Sequence, residues 1–252
     1  MTFFADNFLR KYQTLSTKKS NLNLYSYCLA QGADHDIDFV NIIVGANRSG
    51  KSSLLYQVAR RFYAYRMGFK KLSDSDYYLF NEDFNTRNVI YTKSQNMEST
   101  FKGIDRGLIG ADEMIFQGDR RESMQAANIN LYKIITSEAS RNNVSMLLIE
   151  NLSNLDSRFL SKANSILMVL ERGRALLFVK EHNFQIIKDP GFQIFEKQPW
   201  LLSNYEAGIY NLKTRIPMYC CEIRWAKFEN NLLFDDYKMR KRYWHEKMKQ
   251  AV

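Results

Sequence analysis

The chain has 252 residues, 45% hydrophobic, 14% aromatic and 25% charged, which excludes a disordered or fibrous protein and allows one large domain or two small ones. Lysine and arginine number 36 against 27 acids, a formal charge of +9 that favours contact with nucleic acid or another polyanion. The longest apolar runs are short pieces such as Ile166–Leu170 and Ala175–Val179, the start MTFFADNFLRKYQ is no secretory signal, and Cys28, Cys220 and Cys221 lack C-x-x-C spacing, so secreted, membrane-spanning and zinc-ribbon readings fall away in favour of reduced thiols in a cytosolic compartment.

Apolar and aromatic residues at 4, 8, 9, 12 and 15 predict a helix over Phe3–Leu15, followed by a polar link at Ser16–Asn23. Phe39–Val44 is a β-branched-rich strand ending at a glycine, and Lys51–Met67 is a helix closed by Gly68. Val89–Thr92 and Gly107–Ala111 read as further strands, the second running straight into two acids. Ser123–Arg141 has helical character, Val144–Ile149 suits a strand buried on both faces, and a short helix is expected near Leu155–Asn164. Ser165–Leu170 and Ala175–Lys180 form a hairpin around Arg172-Gly173-Arg174, with a second hairpin expected at Phe184–Lys188 and Phe192–Glu196. Asp235–Gln250 is a basic, aromatic helix. Strands alternating with helices imply an α/β fold with a mostly parallel central sheet, ending in antiparallel strands. The chain divides at the sequence level into a helical N-terminal extension (1–38), a core (39–200) and a basic, aromatic C-terminal extension (201–252).

The sharpest motif is Gly45-Ala46-Asn47-Arg48-Ser49-Gly50-Lys51-Ser52, a full match to G-x-x-x-x-G-K-[ST], with Ser53 next in line. The glycines allow backbone angles closed to other residues, so successive N–H groups turn inward around a phosphate. The helix opening at Lys51 adds its positive end, Lys51 reaches the β- and γ-phosphates, and the Ser52 hydroxyl ligates Mg²⁺. An apolar strand before the motif and the periodic Leu54, Leu55, Val58 and Phe62 after it supply the context this chemistry needs.

Leu108-Ile109-Gly110-Ala111-Asp112-Glu113 places an acid pair at the end of another strand. Asp112 would hold Mg²⁺ through its water shell and Glu113 would polarise an attacking water. A small-molecule kinase needs no such glutamate, and the base-reading Asn-Lys-x-Asp of a GTPase is absent from the sequence, so the pair points to ATP hydrolysis. Of the polar residues after Val144–Ile149, Asn151 is the preferred γ-phosphate sensor, with a plain helix cap as the alternative. Arg120, Arg121 and Arg141 are candidates for an arginine acting on a neighbour's site, each also readable as a solvated side chain.

The order from 39 to about 182 runs through the phosphate loop, the strand-Asp112-Glu113, Asp119-Arg120-Arg121, the helix with Asn128, Asn130 and Leu131, then Ser140-Arg141-Asn142-Asn143, an apolar strand and the Arg172-Gly173-Arg174 hairpin. It resembles the FtsK–HerA superfamily of P-loop ATPases, in particular the small packaging ATPases of membrane-containing and archaeal viruses. The resemblance implies a three-layer fold with an added catalytic-glutamate strand between the two motif strands. It implies ATP and Mg²⁺ at Lys51, Ser52, Asp112 and Glu113, Arg121 or Arg141 acting in trans, and a hexameric or pentameric ring around double-stranded DNA. The first 38 residues and the tail match no element of that family, and Met114 stands where a small residue is common.

Two functional readings follow. One is an ATP-driven double-stranded DNA translocase, a viral genome-packaging motor in the host cytoplasm or the virion. Basic residues such as Lys133, Arg172, Arg174 and Lys180 would line its channel, and the C-terminal helix would meet DNA or a capsid or membrane-associated portal protein. The other is a P-loop ATPase that does not translocate and acts in protein assembly, loading or partition.

Overall fold

The computed structural model describes residues 21–35, 39–68, 88–90, 104–112, 141–152, 159, 162–180, 217–225 and 232–250. The helix read at Phe3–Leu15, the second hairpin and all of Ser123–Arg141 except Arg141 lie outside these residues, as do Glu113, Arg120 and Arg121.

The described elements form a mixed α/β fold on a seven-stranded, mostly parallel sheet. In chain order they are α1 (Asn21–Asp34), β1 (Phe39–Val44), α2 (Lys51–Arg66), β2 (Val89–Ile90), β3 (Leu108–Ala111), β4 (Val144–Ile149), β5 (Ser165–Glu171), β6 (Arg174–Lys180), β7 (Pro217–Arg224) and α3 (Leu232–Gln250). The spatial order is β2-β3-β4-β1-β5-β6-β7. The first five strands pair in parallel; β5–β6 and β6–β7 are antiparallel. β4 therefore lies between β1, which feeds the 45–50 loop, and β3, which ends at Asp112.

Two elements go beyond the sequence reading. α1 begins inside the stretch read as a polar link, and β7 adds an edge strand beside the expected hairpin. Within Leu155–Asn164, Phe159 and Lys162 are helical.

Alternation along the strands explains the core. Ile43, Met146, Leu148, Leu167, Leu177 and Ile223 face α1 and α2 in one cluster with Leu22, Tyr25, Leu54, Leu55, Tyr56 and Phe62. Residues of the opposite parity, such as Ile42, Leu147, Ile166 and Leu176, are buried as well, as parallel strands covered on both sides require. Each fully buried Leu, Ile or Phe stabilises the fold by about 1.5–3 kcal/mol relative to exposure.

Two sets of polar groups inside this core are paired. The Tyr25 hydroxyl lies 2.8 Å from Ser165 Oγ, which donates to Asn41 Oδ1 at 2.7 Å, while Asn41 Nδ2 reaches the Ser145 carbonyl. This chain of bonds ties α1 to β1, β5 and β4. A second set fixes the start of β3. The Leu108 amide donates to the Tyr63 hydroxyl of α2, and the Gly107 amide donates to Asn143 Oδ1 just before β4. A Cβ on Gly110 would sit 2.7 Å from Leu55 Cδ2, so the missing side chain lets α2 lie close over β3. Both devices set where β3 ends, and so where Asp112 stands.

Candidate functional site

The site gathers at the carboxyl ends of the parallel strands, where open α/β sheets present their crevice. The Gly45 amide still donates to the Ile149 carbonyl, so the chain leaves the sheet only after that bond. It then turns through Arg48 (φ 61°) and Gly50 (φ 105°) into α2. A Cβ on Gly45 would lie 2.8 Å from Ser49 Oγ and 3.0 Å from Val169 Cβ, so the first motif glycine is required by space. Gly50 caps α2 without a side-chain hydrogen bond, which leaves the helix's first turn facing the loop. The Ser49 hydroxyl oxygen is buried in this loop and has no hydrogen-bond partner among the described residues.

Lys51 is 5% exposed and folds back over the loop, where its Nζ donates to the carbonyls of Gly45 at 2.7 Å and Ala46 at 3.1 Å. The ammonium thus sits in the mouth of the loop, on weak neutral acceptors that an anionic oxygen outcompetes.

Beside it lies a cavity of about 470 Å³ walled by residues 47–53, the β5–β6 turn (Arg172 and Gly173), Trp225 and, from α3, Tyr237, Lys238 and Lys241. Among the described residues of its lining, the charged ones are all cationic: Arg48, Lys51, Arg172, Lys238 and Lys241. Arg172 Nε donates to the Arg48 carbonyl, which holds the turn against the loop. A cavity of this size suits a small ligand, and its charge selects an anion.

At the inner end of this cavity, Ser52 and Asp112 converge on one atom. The Tyr237 hydroxyl oxygen is 2.7 Å from Ser52 Oγ and 2.6 Å from Asp112 Oδ2. Lys241 Nζ lies 2.9 Å from the same carboxylate oxygen, and Asp112 is almost fully buried. One hydroxyl and one carboxylate aimed at a common point form an all-oxygen donor pair, the chemistry that a hard divalent cation such as Mg²⁺ takes when phosphate oxygens and water complete its shell.

The structure therefore brings Gly45 through Ser53 and Asp112 into one place. Asn151 follows the exit of β4, at the same end of the sheet. Arg141 lies at the other end, where its carbonyl accepts from the Arg106 amide ahead of β4, about 20 Å away along the six-residue strand. It is out of reach of its own chain's loop. Arg172, grouped in the sequence with channel-lining bases, instead faces the loop cavity, and Arg174 pairs with Glu222 of β7 at 2.9 Å. Tyr237, Lys238, Lys241 and Trp225 are site residues that the sequence reading missed. The Tyr237–Lys241 spacing of one helical turn is the only local signal they carry.

No protein-family model matches the chain, and no curated protein does. Among solved structures, the genome-packaging NTPase B204 of Sulfolobus turreted icosahedral virus 2, in complex with AMP, is similar over 68% of this chain and 86% of its own, at 12% identity and a TM-score of 0.33. The site's own chemistry carries the functional reading. No helix among the described residues is long and apolar enough to cross a membrane.

Proposed function

We propose that the chain is a P-loop ATPase of the FtsK–HerA kind, hydrolysing ATP with Mg²⁺ to move double-stranded DNA through a homo-oligomeric ring during viral genome packaging. The observation that carries the nucleotide assignment is the cationic side that Arg48, Lys51 and Arg172 give the 470 Å³ cavity around the 45–50 loop, next to the converging Ser52 and Asp112. A triphosphate matches that charge, and the loop, the α2 N-terminus and Lys51 are the groups that hold phosphate.

Lys51 would exchange its loop carbonyls for phosphate oxygens, and Arg48 and Arg172 would add charge along the phosphate chain. Ser52 and Asp112 would hold Mg²⁺, which supplies neutralising charge at the β- and γ-phosphates when bound. Glu113, next to Asp112, would take a proton from the attacking water, and Asn151 would orient that water or sense the γ-phosphate. Arg121 or Arg141 would act on the site of a neighbouring subunit, a role that suits Arg141's distance from its own loop. DNA movement and packaging in the host cytoplasm rest on the sequence resemblance and the +9 charge.

The test is steady-state ATP hydrolysis with and without long double-stranded DNA, at low and moderate salt, beside Glu113→Gln. The motor reading expects stimulation by DNA that fades with salt and disappears in the variant. Hydrolysis that needs Glu113 but ignores DNA would replace it with an assembly or loading ATPase.

A further inference from the structure

We propose that α3 is an autoinhibitory latch: the hydroxyl of Tyr237 and the ammonium of Lys241 occupy the metal position between Ser52 and Asp112, so that Mg²⁺–nucleotide binds only when α3 moves away. The proposal rests on the reading of Ser52 and Asp112 as metal-holding groups and concerns how that position is regulated.

Hydrogen-bond stoichiometry defines the contact. A phenol carries one hydrogen and a carboxylate only accepts, so Tyr237 donates to Asp112 Oδ2 at 2.6 Å and takes the Ser52 hydroxyl hydrogen at 2.7 Å. Ser52 spends its hydroxyl on a side chain 185 positions away. Lys241, one turn further along α3, sets its Nζ 2.9 Å from the same Oδ2 and 3.4 Å from the Tyr237 hydroxyl, with its charge 5.8 Å from the Tyr237 ring centre. A single carboxylate oxygen thus meets a phenol and an ammonium together. A divalent cation on this oxygen would displace the phenol and stand against the ammonium's like charge. Metal and latch exclude each other.

The described contacts of α3 centre on the same two groups. Within the described core cluster, its apolar anchors are Tyr237, whose ring meets Tyr56 edge-on at 5.1 Å, and the partly buried Trp244. The outer face carries Met239, Arg242 and Tyr243 in solvent. Release of α3 has to break the bonds to Ser52 and Asp112 and the contact between the Tyr237 and Tyr56 rings. Among the described residues, the shortest bonds of α3 to other elements run to the two groups that a metal would claim.

The experiment uses the full chain, Mn²⁺ as a paramagnetic probe and a non-hydrolysable ATP analogue. It compares wild type with Tyr237→Phe and Lys241→Met, after thermal melts show that each is folded. Electron paramagnetic resonance reads bound Mn²⁺ with the analogue present, and calorimetry reads the analogue in EDTA. The latch predicts that each variant binds Mn²⁺ about tenfold more tightly with the analogue present. It also predicts that adding Mn²⁺ and analogue to wild type speeds amide exchange across 232–250. Unchanged or weaker Mn²⁺ binding in both folded variants, or unchanged exchange in a wild type that binds metal, would overturn it. Weaker metal-free analogue binding by Lys241→Met would instead make Lys241 a phosphate ligand. If no protein binds the analogue with or without metal, the nucleotide-site reading itself fails and takes the latch with it. Should Tyr237→Phe not fold, Lys241→Met decides alone, because Lys241 is only partly buried.

Discussion

The Gly173 carbonyl accepts a hydrogen bond from the Trp225 amide at 2.9 Å, tying the tip of the β5–β6 hairpin to the end of β7. Gly173 has φ 94°, and a Cβ there would lie 2.9 Å from the Trp225 carbonyl oxygen. Gly173→Ala is therefore expected to destabilise the protein by about 1–2 kcal/mol, a melting-temperature loss of roughly 3–8 °C. The same change loosens Arg172 from the Arg48 carbonyl and weakens ATP binding. A melting temperature lowered by less than a degree would contradict the strain.

Lys51→Ala removes the ammonium from the loop mouth without touching the sheet. Nucleotide affinity should fall by about 10- to 100-fold, the worth of one charge-assisted hydrogen bond. Calorimetric titration of ATP into both proteins measures it directly, and an affinity within twofold of wild type would remove Lys51 from the site.

Asn41→Ala breaks the buried chain from Tyr25 through Ser165 to Ser145 and leaves their polar atoms in a core that excludes water. The expected cost is about 1–3 kcal/mol, read by urea unfolding. ATP affinity should hold, because the Asn41 side chain reaches no residue of the loop or the cavity. Loss of affinity at preserved stability would tie this network to the site.

Glu222 governs one pH dependence. Burial pushes its carboxyl up, but hydrogen bonds and charge from Arg174 and Arg224 outweigh this and leave it below its ordinary range. The folded state then holds this proton less tightly than the unfolded chain, so the stabilisation is full above the ordinary carboxylate range and is lost as pH falls through the lowered value. Wild type should exceed Glu222→Gln by up to about 1 kcal/mol near neutrality. That gap should close below about pH 4, in urea titrations across the acid range. A gap independent of pH would mean that the substitution acts through packing.

The loop, its flanking strand and helix, the acid-ended strand, the inserted strand and the first hairpin were all legible, because each depends on local demands: a glycine at positive φ, a continuous apolar run, a turn. α1 was missed although Leu22, Tyr25, Ser26, Leu29, Ala30 and Ala33, all buried, keep helical spacing. Alanines, a serine and a tyrosine make that stripe weakly hydrophobic to the eye. β7 carries neither a turn glycine nor steady alternation through Cys220 and Cys221. Asp235–Gln250 was legible as a helix but not as a wall of the site. Docking of Tyr237 against Ser52 and Asp112 is set by tertiary packing across 185 and 125 positions, which periodicity does not encode.

The cavity draws its walls from residues 47–53, 172–173, 225 and 237–241, spread over most of the chain. During synthesis, the 45–50 loop leaves the ribosome long before the hairpin tip, Trp225 and α3 that wall the cavity beside it. A nascent chain therefore carries an open, cationic loop next to an unpaired β6 edge, and α3 reaches the loop only after residue 241 has been made. Long-range closure of this kind makes folding slow and exposes edges along the way. Maturation of the site is thus timed by translation, and a chain stopped before Trp225 would present the motif without the chamber.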